Sequence, residues 1–193
     1  MIPWQDIAYL KTGTPKQQRA HAALCELNIF DDLRAFTPIL VSTICLDIDV
    51  ESSDLDIICH VPHAESFRSS VVRVYSSLDR FSIRSSRDDA TVVGFWFKDF
   101  EFEIYGHRAP VTQQRAYVHL CQTARVIAFG GASWRAAIRA LKERGMKTEP
   151  AVAYSLGLNG DPYEAVEQLQ SLSDEGLKKL LAHRHTSLEK MMA

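Results

Sequence analysis

The sequence predicts an α/β (α+β) domain, a mixed β-sheet flanked by helices with a helical cap at its C-terminal end. Three observations predict it. Short apolar or alternating runs at 55–61, 91–97 and 100–105 carry the strand signature. Apolar residues spaced by three and four over 20–33 and 67–81 carry the helical one, and after Pro110 only that helical spacing remains. A chain of 193 residues suits one folding unit, so residues 1–111 are expected to form the α/β core. Residues 112–193 are expected to form a helical region packed on it, because no flexible linker separates the two.

The elements follow in order. Thr14-Pro15-Lys16-Gln17 has the composition of a capping box, with proline where a helix opens, and the apolar face Ala20, Leu24, Leu27, Phe30, Leu33 carries that helix to Phe36. Ile39 to Val41, then Ile44, Leu46, Ile48 and Val50, predict one or two short strands. Ser52-Ser53 turn the chain into the strand Leu55–Val61, which Pro62 closes. Phe67, Val71, Val74, Leu78 and Phe81 predict one helix from His63 to Phe81 that covers the sheet. Thr91–Phe97 and Phe100–Tyr105 form a hairpin about Lys98-Asp99. Beyond it, one helix ends at Gly130-Gly131, another at Gly145, and Asp161-Pro162 and Ser173-Asp174 start two more.

A formal net charge of −2 with 24% charged residues gives no global basic field, so a grip on duplex DNA is not expected. Charge is arranged locally instead. No Lys or Arg occurs from Ala35 to Phe67, where Asp47, Asp49, Glu51, Asp54, Asp56 and Glu65 all fall; Thr112 to Lys147 holds seven basic residues against Glu143. This suits a cation and a polyanion together, or two ordinary solvated faces with Asp47 and Asp49 as exposed strand acids. Cys25, Cys45, Cys59 and Cys121 lie in apolar runs without metal-ligand spacing, which predicts reduced core thiols. With no leader-like N-terminus and no run long enough to span a bilayer, a soluble cytoplasmic protein without membrane contact is expected.

The chemistry concentrates at Asp54 and Asp56. One residue apart at the head of a strand, their carboxylates share a face, with Cα atoms roughly 6.6 Å apart. If Phe100, Phe102 and Ile104 face the core, Glu101 and Glu103 are displayed together opposite them, and either could supply a third carboxylate. Magnesium needs oxygen ligands and is held by one or two carboxylates plus substrate phosphates. Ser42-Thr43 supply a polar turn near the acids, and Arg115 and Arg125 could reach phosphates if their helix borders the cleft, solvated helix faces being the alternative.

A turn of small hydroxyl residues, then Ser53-Asp54-Leu55-Asp56-Ile57, then an acidic strand resembles the nucleotidyltransferase-like superfamily. More closely, Gly13-Thr14, Glu103-Ile104-Tyr105-Gly106-His107, Pro110-Val111 with Gln114, Leu156-Gly157-Leu158 and Gly160-Asp161-Pro162-Tyr163 resemble a bacterial domain-of-unknown-function family, DUF4269-like. The resemblance implies a nucleotidyltransferase-like sheet. It makes Asp54, Asp56 and Glu103 the catalytic and metal-binding carboxylates, for magnesium or manganese, and Ser42, Thr43, Ser53 and Arg115 the residues around a nucleoside triphosphate. The implied reaction is transfer of a nucleotidyl group to a small molecule, a protein side chain or an RNA end. Ser42 stands where the superfamily has a glycine, so a catalytically inactive binding or interaction protein on the same scaffold is the alternative.

Overall fold

The structure, a computed structural model, describes residues 4–192, with side chains described for 4–185. Two compact units emerge: one holds the residues through Cys45 together with Ser53–Tyr117, the other Leu46–Ser52 together with the residues from Val118 onward.

The first unit is built on a five-stranded mixed sheet in the order β1-β2-β5-β4-β3. Its strands are β1 (Ile39–Leu40), β2 (Leu55–His60), β3 (Asp79–Ser85), β4 (Thr91–Phe97) and β5 (Phe100–His107). β2 and β5 run parallel; the other neighbours are antiparallel. The expected hairpin of β4 and β5 is present, with Lys98 in the left-handed region at φ 51 to close its tight turn.

Helix α1 (Pro15–Glu26) opens on the capping box that its sequence signals. The Gln17 amide donates to the Thr14 hydroxyl at 3.3 Å, and the Gln17 side-chain oxygen accepts from the Thr14 amide at 2.9 Å. The expected single helix to Phe36 is instead broken. Asn28 turns left-handed (φ 54), a short α2 (Ile29–Asp32) follows, and Arg34–Phe36 closes as a 3-10 turn, so the chain bends to bury both Ile29 and Phe36.

Two further expectations are corrected. Ile44 to Val50 forms no strand, because Thr43–Leu46 is a 3-10 turn and Asp47 is left-handed (φ 55). The helix drawn over His63–Phe81 ends earlier: α3 is Ala64–Tyr75, and β3 begins at Asp79. Phe81 and Ile83 alternate with Ser82 and Arg84, a period of two that the preceding helical spacing overlaps by chance.

One sheet face makes the core. Leu55, Ile57 and Cys59 of β2 lie in register with Phe102, Ile104 and Gly106 of β5, all buried. Phe102 stacks on Phe95, and Phe95 on Tyr75 of α3, each with centroids 5.1 Å apart. A Cβ on Gly106 would stand 2.6 Å from the Phe67 ring, so glycine there lets α3 settle on the sheet.

In the second unit, α4 (Arg115–Glu143, which starts in the first unit) is interrupted at Gly131 (φ 72, ψ −156), matching the two helices read from sequence. Then come α5 (Thr148–Leu156), which the sequence reading missed, α6 (Pro162–Gln168) and α7 (Asp174–Met192). The Asp161 cap of α6 accepts from the Tyr163 and Glu164 amides, both at 3.0 Å. Trp134, Ile138, Val152, Val166 and Leu177 form the core with Ile48, each at most 1% exposed. No described helix is long and apolar enough to cross a membrane.

Candidate functional site

The acids stand on the sheet face opposite the core. Along β5 the burial alternates strictly, Phe100, Phe102, Ile104 and Gly106 inward, Glu101, Glu103, Tyr105 and His107 outward, as the period of two requires. Parallel pairing puts Asp56 of β2 directly beside Glu103; Asp54 stands just before β2 begins, outside the paired register, and is near enough for its charge to act on Glu103. Burial raises the Glu103 pKa; Arg84 lowers it, and the Asp54 and Glu101 carboxylates raise it again, leaving it above the ordinary value. Asp54 and Glu103 therefore feel each other, and Glu101 also contributes.

The donor chemistry is all oxygen, which fits a hard cation. Among the described residues, however, no three His, Cys, Asp or Glu side chains converge as a closed metal cage. What the strands supply is an open pair with a third acid alongside, the number that suffices where a substrate's phosphates complete the shell.

Ser42 sits differently from the phosphate-facing position that the sequence suggested. It is fully buried; its hydroxyl donates to the Asp54 carbonyl at 2.5 Å and accepts from the Ile44 amide at 3.2 Å. Next to it, the Thr43 hydroxyl donates to Ser53 Oγ at 3.2 Å, so Ser42-Thr43 and Ser53-Asp54 are laced together across the turn. β1 adds a third tie, the Val41 amide donating to the Asp56 carbonyl at 2.8 Å. The backbone under both acids is held from one side by consecutive residues.

Three of the basic helical residues, Arg125, Arg135 and Arg139, are engaged within the second unit. Arg125 donates to Asp174 and to the Leu169 and Leu172 carbonyls. Arg139 binds Asp47 Oδ1 at 2.5 Å, and Arg135 lies 3.9 Å from Oδ2. Asp47 is accordingly a half-buried strut of the second unit rather than an exposed strand acid, and Asp49 is half-buried too. Arg115 is exposed at the first turn of α4.

Some residues escaped the sequence reading. Arg84 of β3 reaches Glu103, its Nη2 3.1 Å from Oε2; the sequence reading gives no element to residues 82–90 and so does not bring it to the acids. Tyr105 donates to Asp88, which also accepts from Ser86, and these bonds hold the Asp88 carboxyl below its usual range. Gln114 is buried and donates to the Cys59 carbonyl at 3.0 Å and the Ala109 carbonyl at 2.9 Å, stapling the end of β2. His119 is buried between Glu149 and Glu167, 3.1 Å from each. Of the cysteines, Cys45 and Cys59 are core thiols, the first pushed up to about 12 by burial, while Cys25 lies exposed on α1.

A family model described as a domain of unknown function (DUF4269) matches residues 22–169, a span that takes in Ser42, Asp54, Asp56, Arg84 and Glu103. No curated protein matches the chain.

Proposed function

We propose that this chain, which belongs to the family described as a domain of unknown function (DUF4269), is a metal-dependent nucleotidyltransferase of nucleotidyltransferase-like fold. The observation that supports this most is the register of Asp56 with Glu103 on adjacent parallel strands, with the Asp54 carboxylate near enough to act on Glu103. Asp54 and Asp56 hold magnesium, or manganese, shared with a nucleoside triphosphate. The acceptor oxygen bonds to the α-phosphorus as the bond to pyrophosphate breaks in line and pyrophosphate leaves; a bound cation would draw charge from the phosphoryl oxygens and stabilise that displacement. Glu103 takes the proton of the acceptor hydroxyl, and its raised pKa is in the right direction for that work. Ser42 orients Asp54 through the backbone, and Thr43 and Ser53 flank the triphosphate. The acceptor is a small molecule, a protein side chain or an RNA end, and the setting is the cytoplasm.

Magnesium-dependent consumption of a nucleoside triphosphate by wild-type protein, abolished in Asp54→Asn with Asp56→Asn, is the expected result. No consumption across a panel of acceptors, with no magnesium-dependent triphosphate binding, would overturn the reading.

One observation favours a second reading. The Arg84 guanidinium already neutralises Glu103, as it would in a scaffold that has exchanged its cation for an arginine and kept only a binding role. Calorimetry with ATP and magnesium separates the two: binding with turnover supports the transferase, binding without it the interaction protein.

A further inference from the structure

Arg84 shares the acid face. In the antiparallel pairings Arg84 lies opposite Val92, and Val92 opposite Tyr105, while Glu103 lies opposite Gly94, and Gly94 opposite Ser82. Directly opposite residues project from the same side of a sheet, so Arg84, Gly94, Glu103 and Tyr105 all line one face with Asp56. Gly94 is the gap in that row. It places no side chain between Glu103 and β3, and a Cβ there would stand 3.0 Å from the Ser82 hydroxyl. Through this gap the Arg84 side chain crosses β4 to reach Glu103.

Arg84 stands on an exposed edge of the sheet. β3 is an edge strand, mostly exposed, with a register shift between Asp79 and Ser82 and a left-handed Arg80 (φ 54). The Arg84 side chain itself is 61% exposed. Asp88 already accepts from Ser86 and Tyr105.

We propose that Arg84 is a triphosphate ligand, held on Glu103 in the empty protein and transferred to the phosphate chain when a cation and triphosphate arrive. This rests on reading the acids as a cation and triphosphate site. A divalent cation at Asp54 and Asp56 repels a guanidinium held on the neighbouring carboxylate. The phosphate chain arriving with the cation offers the planar guanidinium several anionic oxygens, two of which it can engage at once, where Glu103 engages it through one. The gap over Gly94 is the path between the two positions. Arg84 thus partners Glu103 at rest and then binds the substrate.

Terbium luminescence reports the cation site, and calorimetry with inorganic tripolyphosphate and magnesium reports the phosphate site. Arg84→Gln is expected to bind terbium several-fold more tightly and tripolyphosphate about tenfold more weakly, the loss appropriate to a charge-assisted contact. Arg84→Lys should recover part of the tripolyphosphate affinity. Glu103→Gln, which releases the arginine, should bind tripolyphosphate more tightly than wild type when magnesium is omitted. If Arg84→Gln leaves tripolyphosphate affinity unchanged, or weakens terbium and tripolyphosphate together, the role of Arg84 is overturned and the acid site stands. If wild-type protein binds neither probe, the acid site falls and the inference with it.

Discussion

The Ser42 hydroxyl donates to the backbone carbonyl of Asp54 across twelve residues of sequence, at 2.5 Å and fully out of contact with solvent. The side chain that replaces an expected glycine is thereby part of the support beneath the first acid. Ser42→Gly would restore the superfamily's residue type, yet it strips the Asp54 carbonyl and the Ile44 amide of a buried partner. A loss of roughly 1–3 kcal/mol in urea unfolding is expected. Magnesium-dependent triphosphate binding should weaken with it, and stronger binding in Ser42→Gly would show that the serine obstructs a phosphate turn.

Gln17 connects two local structures. Its side-chain oxygen caps α1, and its side-chain nitrogen donates to the Ile44 carbonyl at 2.8 Å, beside Ser42. Gln17→Glu preserves a capping box by the rules for isolated helices. Here it sets a carboxylate against a buried carbonyl, so it should cost about 2 kcal/mol or more, against about 1 kcal/mol for Thr14→Ala. Chemical denaturation of the two variants checks the order.

The helical unit should have a stability maximum in mildly acidic solution. Burial lowers the His119 pKa, but the Glu149 hydrogen bond and the Glu149 and Glu167 charges outweigh it and raise it above 6.5. Its contribution is full below 6.5 and is lost as pH rises through the raised value. Burial raises the Glu149 pKa, but His119 and the backbone bring it below 4.5, so that contribution is full above 4.5 and is lost as pH falls through the lowered value. The window between 4.5 and 6.5 follows. Urea midpoints followed by helical circular dichroism should fall on both sides of it, and His119→Gln should flatten the alkaline limb. An unchanged alkaline limb in that variant would assign the pH dependence elsewhere.

Local rules carried much of the fold. Capping chemistry marks α1 and α6, and alternation marks β5 and places Glu101 and Glu103 on its outward face. Tertiary burial defeated the rest. Ile44 and Ile48 are fully buried by a turn and a loop rather than by a strand, and sequence periodicity cannot distinguish these. Leu78 and Phe81 happen to continue the spacing of α3 and so masked the start of β3, while the short alternation after Phe81 was too brief to announce the strand that carries Arg84. The direction of the Ser42 hydroxyl depends on a partner twelve residues away, which no local pattern encodes. Arg125, Arg135 and Arg139 read as a basic surface because their carboxylate and carbonyl partners are distant in sequence.

The seven-residue excursion Leu46–Ser52 interrupts the first unit in sequence and belongs to the second. Its anchor, Asp47, waits for Arg139, 92 residues later. During synthesis, therefore, Ser42 and Asp54 emerge well before the residue that fixes the loop between them. No single cut of the chain yields both units whole: ending it after Tyr117 would leave a sheet whose acids are joined to Ser42 by a segment deprived of its arginines. Asp54 and Asp56 are thus local in sequence, but the loop that joins them to Ser42 is completed only by arginines of α4.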